Sequence, residues 1–366
     1  MKAGWEIKKL SEVCKLYQPK TISVEMFVED GEYFVYGANG IIGHYNQYNH
    51  EDSEVLLTCR GATCGSVNIS EPYSWINGNA MVVKPLDKNN IKQQFLKYYL
   101  ISVDWNDIIT GAAQPQITRL SLSPLPIPVP PLPEQERIVS ELDLISGVID
   151  KKKQQLKELD SLAQSIFYEM FGNPDDSVFP LQCLSSLSNH KLSYGSGASA
   201  VEYDGKVRYI RITDIKEDGY LDDNIMSPND YEDKYLLNDG DILFARSGAT
   251  VGKTYHYKKS DGMAIYAGYL IRFIPNQDLV LPTYIYYYTR SSYYHAFVKK
   301  SAQAVAQPNI NAKQYGELQV CVPPLSLQQE FASMIEKIER QKELIKHSLQ
   351  ETETLFNSRM DYYFNS

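Results

Sequence analysis

No run of about eighteen apolar residues occurs anywhere in the 366-residue chain, so no segment reads as a membrane-spanning helix. The opening Met1-Lys2-Ala3-Gly4-Trp5-Glu6 carries no apolar signal region, and the expectation is a cytoplasmic protein. Cysteine is scarce: Cys14, Cys59, Cys64, Cys183 and Cys321 are odd in number and irregular in spacing. That usage predicts free thiols rather than a disulfide framework. Cys59 and Cys64 make half a zinc site at most, because no second pair or nearby histidine couple completes it. The six histidines are scattered and form no His-Glu-x-x-His.

Catalytic motifs are also missing. Ser247-Gly248-Ala249-Thr250-Val251-Gly252-Lys253-Thr254 follows an apolar strand and approximates a phosphate-binding loop. Such a loop needs four residues between its first glycine and Gly-Lys, so that successive amides ring a phosphate, and here three intervene. Gly195-Ser196-Gly197 lacks the strand–helix setting of a dinucleotide site and reads as a flexible loop. Asn173-Pro174-Asp175 lacks the second proline and the aromatic of an amino-methyltransferase motif. Asp239 and Asp241 read as turn residues opening a strand. No nucleophile–base pair declares itself, and the chain does not read as an enzyme.

Excess positive charge is absent too. Lys and Arg number 36 against 45 Asp and Glu, a net charge of −9. An acidic balance disfavours wholesale nucleic-acid binding, although a local basic face can still hold phosphate. Tyrosine, by contrast, is abundant at 28 residues. Its rigid, amphipathic ring suits either packing or a binding surface.

Two long helical stretches are present. After Pro124-Leu125-Pro126-Ile127-Pro128-Val129-Pro130-Pro131-Leu132-Pro133, proline disappears as far as Gly172 and one internal glycine, Gly147, remains. Apolar residues then step by four and three through Ile138, Leu142, Ile145, Ile149, Leu156, Leu159, Ala163, Ile166 and Met170, broken by Lys152. This heptad seam asks for a partner helix. The partner stands in the same chain, where Val322-Pro323-Pro324-Leu325-Ser326-Leu327-Gln328 echoes Val129-Pro130-Pro131-Leu132-Pro133-Glu134-Gln135. Its seam reads Phe331, Ile335, Ile338, Ile345, Leu349, Phe356 and Tyr363, broken by Lys342, Thr352 and Arg359. Two rods of ~38 residues would each span roughly 55 Å. Paired antiparallel, they would place globular domains at opposite ends of a rough twofold.

The bodies are a plan written twice. Trp5 to Leu10 is answered by Phe179 to Leu184, and the strand Val55 to Thr58 by Asp241 to Ala245. Gly61-Ala62-Thr63-Cys64-Gly65 is answered by Gly248-Ala249-Thr250-Val251-Gly252, each shortly after an arginine. Phe95 to Leu100 is answered by Tyr284 to Tyr288, and Gln114-Pro115-Gln116-Ile117 by Gln307-Pro308-Asn309-Ile310. The expected architecture is α+β, with two tandem mixed-strand domains, residues 1–132 and 173–325. Each is followed by a spacer helix, residues 133–172 and 326–366, and the helices form an antiparallel coiled coil.

A duplicated module on a rigid ruler suits a bipartite target. In B-DNA, side chains read base edges while basic groups hold phosphates, and half-sites about 35 Å apart lie on one face. Arginine, glutamine and asparagine are the natural readers. The candidates are Arg60, Gln114, Gln116, Arg119, Arg208, Arg211, Arg246, Gln307 and Asn309. Arg60, Thr63, Arg246, Ser247, Thr250 and Lys253 are also placed to meet a phosphate backbone. The bland reading of the Gly-Ala-Thr loops, a tight turn using glycine for positive φ, is compatible with that role.

Taken in order, these features resemble the specificity subunit of type I restriction–modification enzymes. They are Trp5 to Leu10, Tyr36-Gly37-Ala38-Asn39-Gly40-Ile41-Ile42-Gly43, Arg208 to Ile215, both Gly-Ala-Thr-x-Gly turns, both Gln-Pro-x-Ile segments and both Pro-Pro-Leu helix starts. The resemblance spans nearly the whole chain. It implies two target-recognition domains, an antiparallel coiled coil, and an asymmetric bipartite target in double-stranded DNA. It implies assembly with two methyltransferase subunits, which would carry S-adenosylmethionine and flip the adenine, and a translocase–nuclease subunit as a further partner. No cofactor is expected in this chain itself. The competing expectation is a coiled-coil protein-interaction scaffold without a DNA role.

Overall fold

The computed structural model describes residues 4–111, 114–302 and 308–365. The chain forms two compact units, Met1–Lys153 with His347–Ser366, and Gln154–Lys346. These units cut across the expected boundaries at 132/133 and 325/326, because each body takes with it the helical stretches that pack on it.

Unit 1 runs β1 (Glu6–Lys9), α1 (Leu10–Val13), β2 (Cys14–Tyr17), β3 (Tyr33–Gly37), β4 (Gly40–Tyr45), β5 (Val55–Thr58), β6 (Val67–Ile69), β7 (Trp75–Ile76) and β8 (Ala80–Pro85). It continues with α2 (Gln93–Ser102), α3 (Arg119–Leu122), β9 (Pro126–Val129) and the start of α4 (Leu132–Phe171). The central sheet has the order β2-β8-β5-β6. β5 is buried at every residue, as an apolar run covered on both faces should be. β1 pairs with β9. Pro126 and Pro128 fit there because a two-stranded pair leaves one side of each strand needing no amide donor.

Unit 2 holds β10 (Leu181–Cys183), β11 (Ser193–Tyr194), β12 (Ala200–Glu202), β13 (Arg208–Ile210), β14 (Met226–Pro228), β15 (Ile242–Ala245), β16 (Thr254–His256), β17 (Ala264–Tyr266) and β18 (Leu270–Phe273). Then come α5 (Pro282–Tyr288), α6 (Ser292–Ala302), α7 (Ala312–Gly316), β19 (Gln319–Cys321) and α8 (Leu325–Phe364). Its sheet, β11-β18-β15-β16, repeats the order of unit 1, and β10 pairs with β19 as β1 does with β9. Outside this shared frame the units differ. Unit 1 adds the sheet β4-β3-β7, whereas unit 2 adds the pairs β12-β14 and β13-β17.

The long helices start where Pro-Pro ends a strand, and α4 stops at a glycine. Gly172 takes φ +74° and donates its N–H to Tyr168 O at 2.9 Å, a glycine cap. Within unit 1, Ile138 and Leu142 are fully buried in one core with Phe95, Tyr98, Met360 and Tyr363. Within unit 2, Ala163, Phe167 and Phe171 pack with Tyr284, Tyr288, Phe331, Ile335 and Ile338. The partners run antiparallel in each unit. In unit 1 Glu141 meets Arg359 and Tyr363 while Lys152 meets Ser348 and Thr352. In unit 2 Phe167 meets Phe331 while Asp160 meets Lys342.

The rest of the seam, Ile145, Ile149, Leu156, Leu159, Ile166, Ile345, Leu349 and Phe356, is half-buried. The fully buried apolar seam positions belong to the two body cores, since two helices alone leave seam side chains partly open. The lysines that break the pattern lie in the seam rather than outside it. Lys152 Nζ donates to Ser348 O, Ser348 Oγ and Thr352 Oγ1 at 2.8, 2.8 and 2.6 Å. Lys342 is 2 % exposed and bonds Asp160 at 2.5 Å and Glu339 at 3.0 Å. Burial works against its charge, but the two carboxylates outweigh that and hold its pKa above the ordinary lysine value.

One residue pair fastens each body to its long helix. Gln135, fully buried, accepts from Lys92 N at 2.8 Å and donates to Asn90 O at 2.8 Å and Pro130 O at 2.9 Å. Gln328, also fully buried, accepts from Leu281 N at 2.8 Å and donates to Leu279 O at 3.2 Å and Pro323 O at 2.8 Å. Lys92 and Leu281 are the N-caps of α2 and α5. Each amide thus ties the entry of the tyrosine-rich helix to the first turn of the long helix.

Most tyrosines in this region serve packing. Tyr284, Tyr288, Tyr294 and Tyr315 are all buried, with hydroxyls donating to backbone carbonyls. Gly195 is also part of the packed frame, contrary to the flexible loop expected there. Ser196 bridges to Ala267, and a Cβ at Gly195 would sit 2.3 Å from Tyr266 O.

Replacing Gln135 or Gln328 by Ala strands a buried amide and two carbonyls. Each substitution is expected to cost about 2–4 kcal/mol in urea unfolding. Glu136→Ala, which loses only an exposed ion pair with Lys92, should stay within about 0.5 kcal/mol.

Candidate nucleic-acid interface

The Gly-Ala-Thr turn follows the central strand β5 or β15 and is held by the same backbone bonds in both units. Gly65 N donates to Thr58 O at 2.9 Å, as Gly252 N does to Ala245 O at 3.0 Å. Gly61 N donates to Pro115 O, and Gly248 N to Pro308 O, both at 3.1 Å. Ile117 N donates to Cys59 O at 3.0 Å, and Ile310 N to Arg246 O at 2.8 Å. The turn and the Gln-Pro-x-Ile segment therefore form one double-loop surface in each unit. The glycines are required: Gly65 and Gly252 have φ of +97° and +87°, and a Cβ would lie 2.6 Å from Trp105 or Val298.

This pairing fixes the structural equivalence of the two loops. Thr58 corresponds to Ala245, Cys59 to Arg246, and Arg60 to Ser247. The two loop arginines are thus one residue out of register. Neighbours along an extended chain point to opposite sides, so Arg60 and Arg246 do not occupy the same place.

In unit 1, Arg60, Thr63, Gln114, Gln116 and Arg119 are all exposed. Gln116 forms backbone bridges with both Arg60 and Thr110. Thr63 Oγ1 donates to Asn39 Oδ1 at 2.6 Å, coupling the loop to the β3–β4 turn. Arg119 opens α3, which Thr118 caps by accepting from Ser121 N. Among the described residues, neither the Arg60 nor the Arg119 side chain has a hydrogen-bond or ion-pair partner.

In unit 2, Arg246, Ser247 and Thr250 are half-buried and Asn309 is exposed. Ser247 bridges Asn309, and Thr250 Oγ1 donates to Ser247 O at 3.1 Å. The Arg246 guanidinium lies over the Tyr194 ring at 4.8 Å, and its Nε donates to Asn309 Oδ1 at 3.4 Å. Buried tyrosines brace the loop from below: Tyr315 donates to Ala245 O at 2.8 Å and Tyr294 to Gly252 O at 2.9 Å. Gln307 lies outside the described residues.

Three expected contacts are spoken for. Arg208 Nη2 donates to Asp222 O at 2.7 Å and has the Asp222 carboxylate at 3.7 Å. Arg211 is clamped by Asp214 through Nε and Nη2 at 3.0 and 2.7 Å. Lys253 pairs with Glu217 at 2.8 Å and donates to Ile215 O at 3.2 Å, so it points at a neighbouring loop rather than into a phosphate cradle. A base or phosphate would have to displace a carboxylate at each. Asp241 is likewise structural, 2.6 Å from Arg272 inside the sheet.

Sequence reasoning missed Tyr194 and Asn39, which touch the loops from distant strands and turns. A cleft of about 740 Å³ in unit 1 has Tyr17, His50, Glu54 and Lys84 among its lining residues. Its charges are mixed: Lys84 pairs with Glu54 at 2.5 Å. Burial and the nearby Lys84 push the His50 pKa below the ordinary histidine value. Among the described residues no cluster could hold a metal ion, and no helix is long and apolar enough to cross a membrane.

Residues 2–161 and 191–354 each match the family described as the type I restriction modification DNA specificity domain. A Haemophilus influenzae protein named as a type I restriction enzyme specificity subunit is 26% identical over 387 residues, covering 98% of this chain and 94% of that one. The MjaVIII specificity subunit of Methanocaldococcus jannaschii is 21% identical over 397 residues, covering 95% and 89%. The fold is shared with the crystal structure of a type I restriction–modification S subunit from M. genitalium. There the TM-score is 0.61 at 15% identity, covering 97% of this chain and 95% of that one. A chain from a study of type I complex assembly gives 0.52 at 15% identity, covering 99% and 98%. With the domain matched twice over most of its length, the chain belongs to the DNA specificity family of type I restriction–modification systems and is built as a specificity subunit.

Proposed function

We propose that this chain selects DNA for methyltransferase and nuclease partners by binding an asymmetric bipartite duplex target, one half-site per unit. The observation that carries the reading is the repeated double loop. One backbone frame occurs twice, and it presents Arg60, Gln114, Gln116 and Arg119 in unit 1 but Arg246, Ser247 and Asn309 in unit 2. A frame that is held constant while its exposed side chains change is what two readers of different half-sites need. Arg60 and Arg119 are uncommitted cations suited to phosphate. Arg208, Arg211 and Lys253 are satisfied within their own unit.

The two 40-residue helices set the unread gap on this reading. At 1.5 Å per residue each extends ~60 Å, more than one helical turn of DNA. The chain supplies specificity and no chemistry. S-adenosylmethionine would sit on two methyltransferase subunits, and a translocase–nuclease subunit would complete a restriction complex. The acidic surface left over, from a net charge of −9, suits these protein partners better than DNA.

Mapping methylated adenines genome-wide, with and without this chain beside its methyltransferase partner, tests the reading. A bipartite motif that vanishes with the chain supports it, and unchanged methylation refutes it in favour of a scaffold without a DNA role. Adding one heptad to each long helix should lengthen the gap by about 3 base pairs, from ~10 Å of helix at 3.4 Å per base pair, with both half-sites intact. An unchanged gap would show that the helices are not the ruler. Arg60→Ala should weaken binding by the assembled complex and reduce the salt slope by about one. Arg211→Ala should instead lower thermal stability and leave that slope alone.

A further inference from the structure

Arg246 is unlike every other arginine on the two double loops. Its guanidinium is held from two sides, by the Tyr194 ring at 4.8 Å and by Asn309 Oδ1 at 3.4 Å from Nε. Both holders are themselves fixed. Tyr194 sits in β11, paired with Ile271 of β18, and its hydroxyl accepts from Ala312 N at 3.0 Å. Asn309 is bridged to Ser247 through the backbone. The terminal nitrogens, Nη1 and Nη2, make no hydrogen bond to any described residue. The result is a guanidinium fork held on its Nε side, with both terminal nitrogens unspent.

The equivalent place in unit 1 is filled differently. Tyr17 pairs with Val82, which pairs with Leu56; Ser193 pairs with Arg272, which pairs with Leu243. Gln18 therefore stands where unit 2 has Tyr194, Cys59 where it has Arg246, and Gln116 where it has Asn309. Contact is kept while its content changes, because Gln18 Nε2 donates to Cys59 Sγ at 3.1 Å. Cys59 is fully buried and carries no charge to a ligand. The cation belongs to unit 2 alone.

We infer that Arg246, stacked on Tyr194 and steered by Asn309, reads a guanine in the half-site bound by unit 2. This rests on the specificity-subunit reading above. The chemistry selects the base: a planar fork with two free donors matches the O6 and N7 acceptors that guanine alone presents together in the major groove. Ring stacking and a side-chain acceptor fix the plane of that fork before DNA arrives, so little rotamer freedom is lost on contact. A held fork also fits a bidentate phosphate, and the salt slope separates the two partners.

The test uses the full chain assembled with its methyltransferase partner and short duplexes carrying the mapped bipartite motif. Each base of the half-site read by unit 2 is varied in turn. The wild-type complex should favour guanine at one position by about tenfold to a hundredfold. Arg246→Lys keeps the charge but loses the planar fork, and should sharply reduce that preference, since an ammonium meets O6 and N7 less well, while leaving the other half-site and the salt slope unchanged. Tyr194→Leu should erode the same preference part-way with Arg246 still present. Full guanine preference in Arg246→Lys overturns the inference. Uniform weakening at all positions in Arg246→Ala, with a shallower salt slope, also overturns it by assigning Arg246 to phosphate. A wild-type complex with no bipartite motif overturns the specificity-subunit reading itself, and the guanine assignment with it.

Discussion

A single buried amide at the start of each long helix is what the rest of each unit depends on. Gln135 and Gln328 satisfy the orphan N–H at the entry of α2 or α5, one carbonyl on the approach to that short helix and one on the approach to α4 or α8. Helix starts leave amides without intrahelical partners, and a buried start must find them elsewhere. Here one side chain does so for the short helix while standing on the long one. The orientation of the long helix is thereby locked to the body, and through the body to the sheet that carries the double loop. Without that lock a rigid helix could keep distance but not direction.

The seam adds a second constraint of the same kind. Lys152 and Lys342 stand where an apolar side chain would pack better. Each forfeits hydration and recovers it only through partners at one register: Ser348 and Thr352 in unit 1, Asp160 and Glu339 in unit 2. A slide by one heptad would leave the buried Lys342 ammonium unpaired, which costs far more than a lost methylene contact, and would strip the half-buried Lys152 of its hydroxyl partners. Such layers trade stability for a unique register, as polar residues in coiled-coil seams do. In unit 2 the layer reaches into the body. Tyr220, from the loop after β13, donates to Glu339 at 3.0 Å and lies beneath Lys342 and Lys346, at 4.8 and 3.5 Å from its centroid.

Much of this was legible in the sequence. The proline stops, the heptad steps and the repeat are periodic signals, and periodicity survives translation into structure because helices and strands are themselves periodic. Side-chain commitment is not periodic. Arg208 and Arg211 read as free cations until Asp222 and Asp214 are seen to hold them. Gln135 and Gln328 were visible as matching letters, but a glutamine on a helix start looks solvated until burial and three bonds are known. Arg60 precedes its glycine by one residue and Arg246 by two, and the backbone pairing with Ile117 and Ile310 shows that the glycines rather than the arginines are the equivalent positions.

That one-residue shift explains how a duplicated domain can diverge without losing its fold. The frame is carried by backbone bonds, positive-φ glycines and a buried strand, none of which depends on what the exposed positions contain. Moving the cation from the Arg60 position to the Arg246 position changes which side of the loop bears the guanidinium while every frame bond persists. Tyr194 and Gln18 then need only match their new neighbour, by ring stacking in one unit and by an amide–thiol bond in the other. The frame bonds thus persist while the side chains differ, one unit burying Cys59 in its core where the other holds Arg246. Two copies that bind different half-sites, on the proposed reading, would draw on that separation, and the paired loops supply it twice in one chain.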